Sequence, residues 1–151
     1  MGPVKLNPFA DFEIVALDTQ LFIYFLEGHP VYFPLVKDLF TSIERGEHKA
    51  TASSLIFTEL MVPAYRRQAL GQIEEVFRLL TNFPNLIITD LTPQIACEAS
   101  RIRATFRLRT PDAIHVASAM ASKAKALLTN DLDFRNVATE LKVLMLRDYS
   151  S

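Results

Sequence analysis

The chain has 151 residues, of which 50% are hydrophobic and 22% are charged. This composition supports one ordinary hydrophobic core and excludes a disordered tail, and the length leaves no room for a second domain. Sixteen Lys and Arg against seventeen Asp and Glu give a net charge of −1. Binding of a polyanion through net charge alone is therefore not expected, although a local basic patch can still bind one.

The single cysteine, Cys97, cannot form an intrachain disulfide, which fits a reducing compartment. The apolar run at residues 21–26 is far shorter than the roughly 20 residues that cross a bilayer. The first six residues have neither the apolar core of a signal peptide nor a myristoylation motif. We therefore expect a cytoplasmic protein.

The order of predicted elements indicates the fold class. Residues 1–11 carry three polar or proline interruptions and no periodicity, which predicts an extended lead-in before a single domain over residues 12–149. Short apolar runs without polar alternation favour strands buried on both faces, as in a parallel sheet. The predicted strands are residues 14–17, 49–52, 86–89, 126–129 and 143–146, and the predicted helices are residues 31–45, 55–65, 69–82, 93–106 and 111–122.

Several of these helices have recognisable ends. Thr92 and Thr110 each place a capping hydroxyl before a proline at the first helical position, and Gly46 is expected to close the helix before it. Strands separated by helices imply right-handed crossovers. The sequence thus predicts a three-layer α/β/α domain, in which helices cover both faces of a five-stranded parallel sheet.

Four acids are predicted to meet at one edge of this sheet, where strands end and the following helices begin. Asp18 directly follows the first strand, and Asp131 follows the fourth after one intervening residue. Asp112 is the second residue of the helix predicted from Pro111. Glu59 lies early in the helix after the second strand, and its side chain leans back toward the same edge.

Each acid taken singly has a structural explanation. Asp112 could favour the helix dipole, and Asp131 could form a turn. Glu59 is harder to explain in this way, because a charge on so apolar a helix needs a partner or a metal. Four carboxylates at one edge would repel each other unless a cation lay among them, and oxygen ligands without cysteine or paired histidine favour Mg²⁺ or Mn²⁺ over zinc.

Four segments, in this order and at this spacing, resemble the motifs of PIN domains over nearly the whole chain. At this length, the chain is most similar to the VapC-like ribonuclease toxins of type II toxin–antitoxin pairs. One departure is Gln20, where the family usually has Asn or Ser; it could alter the hydrogen bonding behind Asp18. The matching segments are residues 18–27 (DTQLFIYFLE), 58–60 (TEL), 111–119 (PDAIHVASA) and 128–134 (LTNDLDF).

The resemblance implies a metal-dependent endoribonuclease with Asp18, Glu59, Asp112 and Asp131 as catalytic residues. A Mg²⁺ ion held by Asp18 and Asp112, with Mn²⁺ as a possible substitute, would activate a water and counter the charge of the scissile phosphate. Glu59 and Asp131 would orient that water or hold a second ion through water. The attack would be in line and would leave a 5′-phosphate and a 3′-hydroxyl.

Two alternatives compete with this interpretation. Asp90 also ends a strand and supports a phosphoacceptor receiver domain, but a receiver needs an acidic pair after strand one and a Lys after strand five, which are absent here. In the family's strand order, 3-2-1-4-5, Asp90 would lie roughly 10 Å from Asp18, outside the site. The second alternative is a non-catalytic signalling or RNA-binding domain that keeps the acids for ion binding only.

Two further residues near the motifs have ambiguous roles. His115 lies three residues after Asp112 on the same helix face and could be a ligand or a proton shuttle, but a packed, hydrogen-bonded core histidine is the better prediction. Asp133 could assist Asp131 or form a turn.

A basic run leads into the third motif, because Arg101, Arg103, Arg107 and Arg109 follow Glu98 without an acid before Asp112. It indicates either a solvated helix face or a contact with the RNA backbone.

The early pair of helices carries more large apolar residues than one small core needs. This excess favours a homodimer face or a groove for an antitoxin helix, which the sequence does not separate. The mechanism does not require a 2′-hydroxyl, so the sequence identifies neither the RNA class nor RNA over DNA. The residues concerned are Phe22, Tyr24, Phe25, Tyr32, Phe33 and Phe40.

Overall fold

Five parallel strands form one sheet in the order β3-β2-β1-β4-β5, in a computed structural model that describes residues 12–149. The predicted lead-in, residues 1–11, lies outside the described residues. The first strand is central, so the residue that follows it lies at the middle of the sheet edge. The strands are β1 (Ile14–Leu17), β2 (Lys49–Ser53), β3 (Leu86–Thr89), β4 (Ala126–Thr129) and β5 (Lys142–Met145).

Within residues 12–149, six α-helices and two 3-10 segments connect and follow the strands. Each predicted helix is present with its ends shifted by at most two residues, and the first of the early pair, which had no predicted bounds, follows β1 directly. The helices are α1 (Thr19–Glu27), α2 (Phe33–Glu44), α3 (Leu55–Arg66), α4 (Leu70–Thr81), α5 (Pro93–Phe106) and α6 (Thr110–Ala121), and the 3-10 segments are Leu132–Val137 and Leu146–Tyr149.

The pleat of the central strands sorts their side chains into two cores, one on each face of the sheet. Val15 and Leu17 face a core whose buried α-helical residues come from α1, α2, α3 and α4. Ala16, between them, faces a second core built largely from α5, α6 and the first 3-10 segment. Helices therefore cover both faces, and the predicted three-layer α/β/α architecture is confirmed.

The two threonine caps differ from each other. Thr92 accepts a hydrogen bond from the backbone N–H of Ile95 at 3.2 Å, which confirms it as the N-cap of α5. The prediction for Thr110 is wrong, because α6 already begins at this residue and its N-cap is Arg109, which makes no side-chain cap. Asp112 is consequently the third residue of α6 and still lies in its first turn.

Strand β3 corrects the prediction that every strand is buried on both faces. It lies at the edge of the sheet and pairs only with β2 among the described strands. Ile87 in this strand is 52% exposed, whereas β4 is buried at all four positions. The apolar run therefore identified the strand, and its place at the edge is the one that the family's strand order predicts.

The large aromatic residues of the early helices are buried to different degrees, and the partner face predicted there stays a prediction. Phe22 and Phe40 are fully buried, and the other aromatic residues there are partly buried. Five of the exposed large apolar side chains lie on α3 and α4, where they are available to a partner. They are Val62, Tyr65, Leu70, Phe77 and Leu79.

None of the helices between residues 12 and 149 has the length and apolar content needed to cross a membrane.

Candidate active site

Asp18 lies where β1 ends and α1 begins. Its side chain is the N-cap of α1: Oδ1 accepts from the backbone N–H of Thr19 at 2.7 Å, and Oδ2 accepts from the hydroxyl of Thr129 at 2.8 Å. The residue is buried, and this desolvation raises the pKa of Asp18 despite the opposing effects of His115 and the two hydrogen bonds. Asp18 is therefore fixed by protein donors on both oxygens.

Glu59 is held from α3 by two donors on one of its oxygens. Its Oε1 lies 2.6 Å from His115 Nε2 and accepts from the Thr19 hydroxyl at 3.0 Å. Burial alone would raise the pKa of Glu59, but the hydrogen bond and charge of His115, the Thr19 hydroxyl and the charge of Arg109 outweigh it. The pKa of Glu59 is therefore lowered, which keeps its carboxylate ionised.

A second group of acids converges beside the first turn of α6. One carboxylate oxygen each from Asp112, Asp131 and Asp133 lies within 4.8 Å of the others. Asp131 also caps the first 3-10 segment, because its Oδ1 accepts from the Asp133 backbone N–H at 2.9 Å. The turn role and the cluster role predicted as alternatives for Asp131 and Asp133 are thus compatible in one geometry.

Arg109 lies across this acid cluster. Its Nε donates to Asp112 Oδ2 at 3.2 Å, and its Nη2 is 3.9 Å from Asp131 Oδ2, while 71% of the Arg109 side chain stays exposed. Desolvation and the neighbouring Asp131 raise the pKa of Asp112, although Arg109 opposes them. The buried acid thus has one exposed cation as its side-chain partner among residues 12–149.

Three residues from other segments form hydrogen bonds with Asn130 in the loop after β4. Asn130 is buried, and its backbone N–H donates to Gln20 Oε1 at 3.2 Å. Its Oδ1 accepts from the Arg147 backbone N–H at 2.9 Å, and its Nδ2 donates to the Tyr24 hydroxyl at 3.4 Å. Gln20, the departure from the family pattern, therefore supports the loop that carries Asp131.

The structure brings the predicted acids to one edge in two linked groups. Asp18 and Glu59 share Thr19, whereas Asp112 and Asp131 belong to the cluster that Asp133 completes. Asp18 is not a member of that three-acid group. Thr129 links the two, since it donates to Asp18 and accepts from the Asp131 backbone N–H at 3.0 Å.

Two other predicted features separate from the site. Asp90 is exposed beside the edge strand β3, two strands away from β1, as expected from the strand order. The basic run is not continuous: Arg101 is paired with Glu98 at 2.6 Å and Glu140 at 2.8 Å, and Arg103 donates to the Leu108 carbonyl at 3.3 Å. Arg109 is the member of the run that contacts the acids.

The residues that sequence reasoning missed are the neutral donors behind the acids, Thr19 and Thr129. Both are buried, with relative exposures of 3% and 0%. The signal that could have found them is their position: each is a hydroxyl residue at the carboxyl end of an apolar strand, where a buried polar group needs a partner. His115 is buried and hydrogen-bonded, as predicted, but its partner is a site residue.

The acid cluster fits a hard divalent cation. Its donor set is all oxygen and anionic, which suits Mg²⁺ or Mn²⁺. Mg²⁺ binds oxygen octahedrally at about 2 Å, so adjacent ligand oxygens lie about 3 Å apart and opposite ones about 4 Å apart. Carboxylate oxygens within 4.8 Å of one another need only small side-chain rotations to reach that spacing.

The sequence over most of the chain matches a known family. The family model for the PIN domain matches residues 15–140, and the chain belongs to this family. The predicted resemblance to PIN domains is confirmed. The strand order separately excludes the receiver alternative, because receivers place their strands in the order 2-1-3-4-5.

Solved structures of toxin–antitoxin systems share the fold. A chain of a toxin–antitoxin complex from Klebsiella pneumoniae superposes with a TM-score of 0.64 at 20% identity, covering 87% of this chain and 97% of that one. A chain of VapBC2 from Rickettsia felis, bound to a promoter DNA fragment, gives 0.65 at 19% identity, covering 87% and 98%. A chain of VapBC-1 from nontypeable Haemophilus influenzae gives 0.64 at 21% identity, covering 89% and 98%. At these identities the likeness shows the fold. A search among curated proteins gave no significant match.

Proposed function

We propose that the protein is a Mg²⁺-dependent endoribonuclease and the toxin of a type II toxin–antitoxin pair. The observation that carries the nuclease proposal is the convergence of three carboxylates within 4.8 Å at the carboxyl edge of a PIN-domain sheet. Such a cluster stores repulsion unless a cation offsets it. The cation is Mg²⁺, with Mn²⁺ as a possible substitute, because the donors are carboxylate oxygens.

The catalytic residues in this proposal are Asp18, Glu59, Asp112 and Asp131. Asp18 and Asp112 would hold the ion, and the proximity of Asp131 and Asp133 to Asp112 supports further acid contacts beside it. When bound, Mg²⁺ activates a water and offsets the charge of the phosphate.

Glu59, carried by α3, acts on the attacking water. Its lowered pKa supports a carboxylate that accepts a hydrogen bond from that water. Glu59 and Asp131 together orient the water for an in-line attack on phosphorus. The water oxygen bonds to phosphorus and loses a proton to solvent, the bond from phosphorus to the 3′-oxygen breaks, and the 3′-oxygen takes a proton from solvent. The products are a 5′-phosphate and a 3′-hydroxyl.

The guanidinium of Arg109 would contact the RNA backbone at the entrance of the site. It is exposed and lies beside Asp112, so it can exchange its carboxylate partners for a phosphate. Arg107 lies two residues away and ends α5 in a left-handed conformation, with φ of 58°. Arg101 is excluded from this role by its two acidic partners.

The toxin assignment is supported by the shared fold, since the three structures compared above come from toxin–antitoxin systems. The expected partner is a small antitoxin protein in the cytoplasm. A cavity of about 80 Å³ between α1, α3 and α4 has Glu59 on its wall, so a segment bound there would reach the site. The exposed apolar side chains of α3 and α4 support a homodimer.

Cleavage of a labelled RNA panel tests the nuclease proposal directly. With tRNA, rRNA and mRNA fragments, we expect cleavage in Mg²⁺ or Mn²⁺, none in excess EDTA, and products that carry a 5′-phosphate. An Asp112→Asn preparation, purified in the same way, controls for contaminating nucleases. Metal binding without cleavage of any RNA would favour the non-catalytic alternative instead, and single-stranded DNA in the panel tests selectivity for RNA.

A test of the toxin role uses the genomic neighbourhood and growth. A small adjacent gene whose product binds this chain and suppresses its RNA cleavage is expected. Expression of the chain alone should arrest growth, and coexpression of the neighbour should restore it. Growth unaffected by an active nuclease would contradict the toxin role while leaving the nuclease proposal intact.

A further inference from the structure

His115 is a buried titratable side chain that the proposed chemistry does not use. Its side chain is 2% exposed, yet it contacts Glu59, whose side chain is 37% exposed. We propose that His115, together with Thr19, is a positioning residue that fixes one oxygen of Glu59 so that the other faces the attacking water. This inference rests on the proposed nuclease function and names a further residue of the same site.

Three short distances define the arrangement. His115 Nε2 lies 2.6 Å from Glu59 Oε1, the Thr19 hydroxyl oxygen lies 3.0 Å from the same Oε1, and Nε2 and the hydroxyl oxygen are 3.1 Å apart. The three atoms therefore form a closed triangle. Among the described residues, no hydrogen bond reaches the other carboxylate oxygen, Oε2.

The direction of each hydrogen bond follows from what the groups can donate. A carboxylate only accepts, so the proton between Glu59 and His115 lies on Nε2. The hydroxyl of Thr19 has one hydrogen, which it donates to Oε1, and its lone pairs face the imidazole N–H. Nδ1 of His115 is buried without a hydrogen-bond partner among residues 12–149, so Nε2 is the nitrogen that makes the directional contact.

The side chain of Glu59 must be fixed separately, because this residue comes from a different element than the acid cluster. It is attached to α3, whereas Asp112 and Asp131 are carried by α6 and the loop after β4. A half-exposed glutamate has three freely rotating side-chain bonds and would sample several positions. Two donors on one oxygen select a single position, and both come from elements of the site itself, α1 and α6.

The structural alternative is that His115 merely fills the core between α6 and the sheet. In that case its substitution would lower stability but would not affect the chemical step selectively. A positioning role has a different signature, because loss of the group that orients a reacting side chain lowers kcat and leaves substrate binding intact.

The test compares His115→Leu, which removes the donor, with His115→Gln, which retains an N–H donor. The matched control is Ser118→Ala, one turn further along α6, where a buried hydroxyl has no hydrogen-bond partner among the described residues. Folding of each full-length variant is measured by circular dichroism and urea unfolding. We expect His115→Leu to lower kcat by about 10-fold or more with KM for RNA unchanged, by analogy with the loss of groups that orient metal-site residues.

The two other variants sharpen the result. We expect His115→Gln to retain most of the activity and Ser118→Ala to match the wild type. Combining His115→Leu with Glu59→Gln should cost no more than Glu59→Gln alone, because the role of His115 runs through Glu59. Equal losses for Leu and Gln, or additive losses in the double variant, would overturn the proposal.

A nuclear magnetic resonance measurement on the metal-free wild type keeps the proposal testable without any substrate. Nitrogen-15 shifts of the His115 ring should show a proton on Nε2, and Glu59→Gln should shift that signal. A bare Nε2 in the wild type would overturn the positioning role. A wild type that has the Nε2 proton but cleaves no RNA would instead contradict the proposed function.

Discussion

The two halves of the candidate site satisfy their carboxylates in opposite ways. Asp18 accepts from a backbone N–H and a buried hydroxyl, and Glu59 accepts from a histidine and a hydroxyl. In the acid cluster, Asp112 has instead a single exposed arginine as its side-chain partner, and a second acid lies close to it. Without an ion, the carboxylates of one half therefore already have protein donors, whereas those of the other half are offset by one exposed arginine.

This difference distinguishes the acids that buried protein donors hold in place from the acids whose mutual repulsion a cation must offset. Buried hydrogen-bond donors hold a carboxylate in one position, and breaking these hydrogen bonds lowers the free energy of unfolding. An exposed arginine exchanges readily with solvent and other ligands. We therefore expect substitutions in the cluster to act on metal and activity, and substitutions beside Thr19 and Thr129 to act on folding as well.

The largest effect is expected for Asp112→Asn, which should abolish cleavage and leave the metal-free protein at least as stable. Carboxylate oxygens of Asp112 and its neighbours lie within 4.8 Å of one another, and two charges about 5 Å apart repel by about 3 kcal/mol at an effective dielectric near 20, an upper figure for a partly exposed site. Asn removes one charge and keeps the shape. Its loss of helix-dipole stabilisation is at most about 1 kcal/mol.

Melting curves with and without Mg²⁺, recorded beside a cleavage assay, test both halves of this prediction. Mg²⁺ should raise the melting temperature of the wild type and hardly that of Asp112→Asn. Cleavage by the variant, or clear destabilisation without metal, would make Asp112 a structural residue of α6 and would remove the contrast between the two halves.

Two alanine variants, Asp18→Ala and Asp112→Ala, test the difference between the two halves through their free energies of unfolding. Asp18→Ala leaves the Thr19 N–H and the Thr129 hydroxyl without their acceptor and should cost about 1–2 kcal/mol, even though it relieves the desolvation of the carboxylate. Asp112→Ala removes the ion pair with the exposed Arg109 and a charge that repels the neighbouring acids. It should therefore change the free energy of unfolding by less than about 1 kcal/mol. Urea unfolding in EDTA measures both variants, and equal losses would show that the two acids are held alike.

Arg109→Gln should have a smaller effect, with opposite signs for two ligands. Since the guanidinium lies across Asp112 and Asp131, its removal should tighten Mn²⁺ or Mg²⁺ binding by about threefold, a typical scale for an exposed charge. RNA binding should weaken, and its dependence on salt should flatten. Isothermal titration of metal and salt-dependent RNA titration test the two signs, with Arg107→Gln as the control for metal. Unchanged metal affinity would show that Arg109 does not compete for the cluster.

The sequence predicts the fold and the meeting of the acids because both follow from local patterns. Apolar runs and strand-end positions suffice to bring Asp18 and Asp131 to one edge. Hydrogen bonds between distant segments are not local: Thr129 is 111 residues from Asp18, and His115 is 56 from Glu59. No periodicity in the chain predicts those pairs.

Long-range pairing also explains why the sequence could not decide between the two interpretations of the basic run. No acid lies between Glu98 and Asp112 in the sequence, but an acid from elsewhere in the chain can still lie close to these arginines in the fold. Glu140 comes from 39 residues further along to pair with Arg101, and the turn after α5 directs Arg103 to a backbone carbonyl. Of the four arginines, Arg109 reaches the acids.

The smallest effect is expected for Arg101→Gln, which tests that difference between arginines directly. The guanidinium of Arg101 donates to Glu98 at 2.6 Å and to Glu140 at 2.8 Å, so its charge is already matched twice. Both acids hold the pKa of Arg101 above its usual range, and Arg101 in turn lowers the pKa of Glu140. RNA affinity should therefore stay within error of the wild type, and so should the slope of log affinity against log salt.

The pH dependence of the stability of Arg101→Gln is a second test of the same ion pairs. A carboxyl whose pKa is lowered in the fold stabilises it above its ordinary pKa of 4.5, and that contribution disappears as the pH falls through the lowered value. The variant should thus differ slightly from the wild type in urea unfolding at neutral pH, and the two should converge in acid. A loss of RNA affinity as large as that of Arg109→Gln would instead show that RNA displaces both acids, and that all four arginines act as one basic surface.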